Sequence, residues 1–117
     1  MFKDNNRLYF YWKLGKSVFK NQYYYDNIIK KVSDFYSYKY GLTFAFSEKN
    51  IKNMKLFYLC FPCFYDDMNR INWNHYLKLI DIIDSEKRNF YFKISIYFKF
   101  SYNDLLYLID SCLYERI

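Results

Sequence analysis

Cys60 and Cys63, three positions apart, are the first residues in this sequence whose types could do chemistry. A CxxC pair ligates zinc or cycles a disulfide in other settings. A structural zinc site takes four ligands, and the chain offers only one more cysteine and one histidine, His75, with no second closely spaced pair. The pair is therefore read as two thiols lining the end of a helix, with no metal and no cofactor. His75 has no neighbouring nucleophile and sits beside Trp73 near a predicted helix start, which suits a capping or packing residue. Asp66 and Asp67 are adjacent, so they do not share a helix face, and a solvated loop is their expected setting. One further kind of chemistry can be tested by eye. Metal-dependent nucleases of the PDDEXK type need an acid-x-Lys signature, and no Asp or Glu here has a Lys two positions later. No catalytic residue is expected, and the chain is read as a non-enzyme.

The elements that would position any other site are helical by period. Leu8, Tyr11, Trp12, Gly15, Val18 and Phe19 recur at spacings of three and four, with Lys13, Lys16, Ser17 and Lys20 on the other side. Gly15 lies on the apolar stripe, where its missing side chain would let another helix approach. A second helix is expected after Asn21 and Gln22, with Ile28, Ile29, Val32, Phe35 and Tyr36 inward and Lys30, Lys31, Asp34 and Lys39 outward. Gly41 would end it in the left-handed conformation. Ser47 can cap a third helix that begins at Glu48 and is stopped by Pro62. Its inward stripe is Ile51, Met54, Tyr58 and Phe61, which leaves Lys49, Lys52, Asn53 and Lys55 projecting from its first turns. Two helices joined by a short Gly-containing turn, the second capped and basic at its start, fit a helix-turn-helix, a pattern that many helical hairpins share.

Beyond a loop from Cys63 to Asn72, a helix is expected from Trp73 or Asn74 to Asp84, and a last one, capped by Ser101, buries Leu105, Ile109, Cys112 and Leu113. Between them, Phe90, Phe92, Ile94, Ile96, Phe98 and Phe100 alternate with Tyr91, Lys93, Ser95, Tyr97 and Lys99, which by period alone reads as a strand. No second strand of comparable quality is there to pair with it.

Composition bounds what these elements can be. At 117 residues, 53% apolar, with two Gly and one Pro, the chain fits a single domain (1–117) with little room for linkers. The longest unbroken apolar run, Leu56 to Phe61, is far short of the roughly 18 residues of a membrane span, and the start MFKDNNR has no signal-peptide core. A cytoplasmic protein with reduced cysteines and no membrane partner is expected. The 31 aromatic residues suit base-stacking platforms, but Phe, Tyr, Ile, Lys and Asn all have AT-rich codons, and bulky apolar residues are normally core. Charge is uneven. Residues 1–55 hold eleven Lys/Arg against four Asp/Glu, a net of +7, and residues 56–117 hold seven against eight, a net of −1. A basic half (1–62) and a near-neutral half (63–117) suggest a polyanion footprint on the first, with scattered solvated lysines as the other explanation.

Several motifs, in order over the whole length, resemble the N-terminal domain of the YhcG family, prokaryotic proteins with a helical front module and a C-terminal PDDEXK-type domain. Tyr11-Trp12-Lys13-Leu14-Gly15-Lys16 is similar to the family's Tyr-Trp-x-Ile-Gly-Arg/Lys opening. Phe46-Ser47-Glu48-Lys49-Asn50-Ile51, Met54 and the stretch Phe57 to Pro62 resemble its Phe-Ser-Arg-Arg-Asn-Leu-x-x-Met and Tyr-x-x-Phe-Pro. Trp73-Asn74-His75, Glu86 to Tyr91 and Leu113-Tyr114-Glu115-Arg116 resemble its Trp-Ser-His, Glu-Arg-Glu-Phe-Tyr and Leu-Tyr-Glu-Arg. The resemblance implies an all-α domain of five to six helices, with residues 90–100 helical and a helix-turn-helix-like pair facing DNA or RNA. There are departures. Tyr23-Tyr24-Tyr25-Asp26 replaces a glycine-rich Trp-Gly-Tyr-Gly, and Glu48 replaces one of two paired arginines, where a carboxylate repels phosphate but suits a helix N-terminus.

Resemblance and charge together name Lys49, Lys52 and Lys55 as central phosphate contacts, with Asn50 and Asn53 available for base edges or backbone and Lys30 and Lys31 flanking. The chain stops at Ile117, where the family would continue into a nuclease domain. That stop raises a second reading, a small inhibitor of a host defence nuclease of the anti-CRISPR or anti-restriction type. It would act on a nuclease or defence complex, by protein contact or by competing for nucleic acid.

Overall fold

The computed structural model describes residues 4–41 and 44–117, which divide into two compact units, Met1–Cys63 and Phe64–Ile117. Among the described residues there are six α-helices and no strand, so the fold is all-α. None of these helices is long and apolar enough to cross a membrane.

In the first unit, α1 (Asp4–Asn21) carries Leu8, Tyr11, Trp12, Leu14 and Val18 into the core, while Phe19 at the end of the stripe stays 37% exposed. Its partner is α3 (Glu48–Cys60), which buries Ile51, Met54 and Phe57. Gly15 sets how closely these two helices lie. A Cβ built there would overlap the main-chain carbonyl of Met54 and stand 2.9 Å from the amide nitrogen of Lys55. The indole N–H of Trp12 donates to the carbonyl oxygen of Phe61 at 2.7 Å, which satisfies a buried donor and ties down the end of α3. Phe57, absent from the expected stripe, is fully buried, whereas Tyr58 is half-buried and packs edge-on against Trp12.

The second helix, α2 (Ile28–Tyr40), begins later than expected, because the polar, tyrosine-rich stretch up to Asn27 forms turns first. Phe35, expected inward, is 57% exposed; the buried residue of this helix is Ser33, whose hydroxyl donates to the Phe46 carbonyl at 2.6 Å. Phe46 is the hub of an aromatic cluster. Tyr36 and Tyr40 stack on it with centroids at 5.3 and 5.6 Å, and Phe10 meets it edge-on. Gly41 does end α2 with positive φ, yet at φ 92° and ψ 162° it is extended rather than left-handed helical, a region that glycine alone occupies without strain. Of the expected stretch Leu42 to Phe46, residues 42 and 43 lie outside the described residues, and Phe44–Phe46 is a 3-10 turn. Seven positions, 41–47, therefore separate α2 from α3, more than the three or four of a compact helix-turn-helix. Ser47 caps α3 as expected, its hydroxyl accepting from the Asn50 amide at 3.1 Å.

The second unit opens with a 3-10 turn, Asp66–Arg70, that holds Asp66 and Asp67 in solvent and buries Met68. The short helix α4 (Trp73–Ile80) stops four residues before the expected Asp84. Asp84 has a different job. Its carboxylate accepts from the amides of Glu86 and Lys87 and starts α5 (Ser85–Phe98). Helix α5 takes up most of the alternating run. Residues two apart point to nearly opposite sides of a helix, so the alternation spreads apolar groups all round it. One side, Tyr91, Phe92 and Ser95, is buried, and Tyr97 and Phe98 are left 75% and 60% exposed. A helix makes its backbone hydrogen bonds within itself, which the run could do without a partner strand. Helix α6 (Tyr102–Asp110) is capped by Ser101 in a capping box with Asp104. It buries Leu105, leaves Ile109 and Leu113 half-buried, and ends before Cys112, which is exposed at φ 59° and not in the core.

Candidate nucleic-acid interface

The lysines singled out by sequence all belong to the first unit. Lys31 on α2 and Lys49 on α3 project into solvent, each a free end on a half-apolar helix. Lys30 and Lys52 are also exposed, and the structure brings these two together on the walls of one cleft of about 350 Å³. Tyr25, Asp26, Asn27 and Glu48 line it too, so two carboxylates stand beside the two ammonium groups. Lys30 also pairs with Asp34 one turn along, Nζ to Oδ2 3.2 Å, with both side chains more than 60% exposed. Such a pair is weak and readily exchanged. Asn27, on which α2 begins, also lines this cleft; it sits at φ 57° and places no side-chain acceptor on the first N–H groups of the helix. Those N–H groups, with no acidic residue in the first turn, leave the positive end of the helix open.

The remaining candidates are placed differently. Asn53 is half-buried. Lys55 is half-buried as well, and its ammonium donates to Oε1 of Gln22 at 2.9 Å, so it braces the turn after α1. Asn50 must be taken off the face altogether. Only 1% of it is exposed, and its side-chain amide donates to the Ala45 carbonyl at 2.8 Å. With Ser47 as cap and Ala45 in the preceding turn, Asn50 closes the connection into α3 from inside and offers nothing to a base edge. No sequence pattern marks this, since the partner carbonyl depends on how the preceding turn folds.

A second basic surface lies on α1, where helical period marks only the side opposite the apolar stripe. Lys13, Lys16 and Lys20 line a groove of about 380 Å³ with Tyr9, Trp12, Ser17 and Asn21. The signal was the placement of an aromatic residue four positions before each of two lysines, Tyr9–Lys13 and Trp12–Lys16. Long side chains on a helix lean toward its N-terminus, which lays each ammonium over the ring one turn back. The Lys13 and Lys16 nitrogens stand 5.4 and 5.3 Å from the ring centroids.

Residues with chemistry of other kinds are used structurally. Nδ1 of His75 accepts from the Asn72 amide at 3.1 Å, and Nε2 faces the Phe100 carbonyl at 2.7 Å, so a ring with its proton on Nε2 satisfies both. It completes a capping box for α4, because Asn72 Oδ1 accepts from the Asn74 and His75 amides. Cys60 ends α3 half-buried and Cys63 is exposed, and neither is joined in a disulfide among the described residues. Among the described residues no three His, Cys, Asp or Glu side chains gather as a metal would require.

No curated protein and no solved structure matches the chain significantly. The family model described as the DUF1016 N-terminal domain matches residues 4–116. Nearly the whole chain is thus accounted for by one helical domain with a basic first unit, and it belongs to the DUF1016 N-terminal domain family, the YhcG-like group that its motifs resemble.

Proposed function

We propose that this chain is a non-catalytic nucleic-acid-binding module that holds its ligand mainly through phosphate contacts from the first unit. The observation that carries the reading is the match between charge and structure. Residues 1–63 contain eleven Lys/Arg and four Asp/Glu, and residues 64–117 contain seven and eight, so the whole positive excess of the chain belongs to one compact unit. Among the described residues of that unit the Lys30–Asp34 pair is the one ion pair formed. Uncompensated lysines on a small helical body attract polyanions through counterion release, without sequence preference. Lys31, Lys49 and Lys52 supply the contacts, Lys30 joins by exchanging Asp34 for phosphate, and Asn53 stands beside them for a base or sugar. Cleavage is no part of the reading, because the sequence holds no acid-x-Lys signature.

Binding of a labelled duplex, followed by anisotropy across a salt series, tests this. Log K should fall steeply with log salt, and Lys52→Gln should flatten the slope by about 0.9 for duplex DNA. Absence of binding to duplex and single strand alike at low salt would sink the reading. Capture of a nuclease complex that survives removal of nucleic acid would favour the inhibitor reading instead.

A further inference from the structure

The groove on α1 has features that the α2 and α3 lysines lack. Lys13, Lys16 and Lys20 follow each other at three- and four-residue spacing, roughly 10 Å from first to last along the helix. Among the described residues none of the three has a carboxylate within ion-pair distance, and no acid lines the groove, whereas Asp26 and Glu48 line the cleft of Lys30 and Lys52. The rings are arranged as well. Tyr9 lies nearly parallel to Trp12, at 14° with centroids 6.2 Å apart, and Tyr9 is 46% exposed. Lys13 and Lys16 rest over these two rings, cations held by aromatic faces rather than by anions. Lys13 and Ser17 also border a hollow of about 260 Å³ with Phe10 and Tyr36, so the lined surface extends past a single site.

We propose that this face of α1 binds single-stranded nucleic acid, with Lys13, Lys16 and Lys20 on successive phosphates and Tyr9 stacking one unpaired base. A phosphate draws the Lys13 ammonium off the Tyr9 ring, and the ring face it leaves accepts a base. The two contacts are thereby coupled. A duplex satisfies the lysines but keeps its bases stacked on one another, so the ring discriminates in favour of single strands. Stacking is tolerant of sequence, because every base has a π-face. Trp12 backs Tyr9 from the core and donates nothing to the ligand, since its N–H is already held by the Phe61 carbonyl. The proposal shares with the preceding reading only the class of ligand. None of its residues lies in the cleft of Lys30 and Lys52, so the two can fail separately.

The test uses the full chain and three labelled probes: an oligothymidylate of about twelve nucleotides, a duplex of the same length and a polyglutamate peptide. The expected result is tighter binding of oligothymidylate than of duplex or peptide. Lys13→Gln and Lys16→Gln should each lower its salt slope by about 0.7. Tyr9→Leu should weaken oligothymidylate about tenfold with the slope and the duplex affinity unchanged, and Tyr9→Phe should restore it. Thermal unfolding of each variant, matched to the parent, shows that binding and not folding was altered. An unaltered oligothymidylate affinity for Tyr9→Leu overturns the proposal. So does oligothymidylate binding that is no tighter than duplex or peptide binding. Loss of oligothymidylate on Lys52→Gln with Lys13→Gln and Lys16→Gln silent would overturn it and leave the α2–α3 reading standing.

Discussion

Replacing Gly15 by alanine is the sharpest test of how the first unit is built. In an isolated helix the change is favourable, because alanine exceeds glycine by about 1 kcal/mol in helix propensity. In this protein the added methyl group falls on the Met54 carbonyl, and the nearest atoms are all main chain. No side chain can swing aside. Either α1 or α3 must retreat by an ångström or more, which loosens the contacts among Tyr11, Val18, Ile51, Met54 and Phe57, all at 1% exposure or less. Overpacking of this kind costs about 1–3 kcal/mol where side chains can adjust, and the backbone contact puts the cost at the upper end or beyond. After subtraction of the propensity gain, a net loss of about 2 kcal/mol is expected. For a domain near this size that is a fall in Tm of roughly 10 °C. Gly41→Ala is the control. Among the described residues nothing lies within 4 Å of a Cβ there, so its cost, on the order of 1 kcal/mol or more, comes from the positive φ. Thermal unfolding by circular dichroism, with urea titration for free energies, reads both. A Tm for Gly15→Ala equal to or above that of the parent would refute the close backbone approach of α1 and α3.

Two further changes probe local devices. Asn50→Ala should cost about 1–3 kcal/mol in urea unfolding, because it strands the Ala45 carbonyl, whereas Asn53→Ala should stay within about 0.5 kcal/mol; equal effects would put Asn50 back on the surface. In the second unit Lys87 donates to Glu115 at 2.6 Å, and that hydrogen bond is the main cause holding the Glu115 carboxyl below its ordinary pKa. A depressed acid adds stability above its unfolded pKa, near 4.3, and loses it as pH falls through the lower folded value. The Tm gap between parent and Glu115→Gln should therefore be open at pH 7 and narrow as pH falls below the unfolded value, closing once the pH is below the folded one; a gap that does not narrow in acid refutes the pair.

Most of the helices were legible in the sequence, and so were the starts at Ser47 and Ser101. A cap is local information: a side-chain oxygen meets an amide two or three residues on, and both partners stand in one short stretch of sequence. The stripe through Leu8, Tyr11, Gly15 and Val18 was equally plain, because burial on a helix repeats with the turn. The confinement of net positive charge to residues 1–63 is a property of composition that folding only had to enclose. Other matters were settled by tertiary structure. The alternating run at 90–100 carries the period of a strand, and what makes it helical is the lack of a partner strand together with Asp84 as a cap that the expected long α4 had absorbed. Asn50 looks like any polar residue on the first turn of a basic helix. Its burial depends on where the carbonyl of Ala45 points, and Ser33 likewise depends on that of Phe46. Lys13, Lys16 and Lys20 look in sequence like the wet side of α1. That they line a groove free of carboxylates, beside two nearly parallel rings, is decided by which residues of a folded chain come to lie near them, and a helical period carries no information about neighbours from elsewhere in the fold.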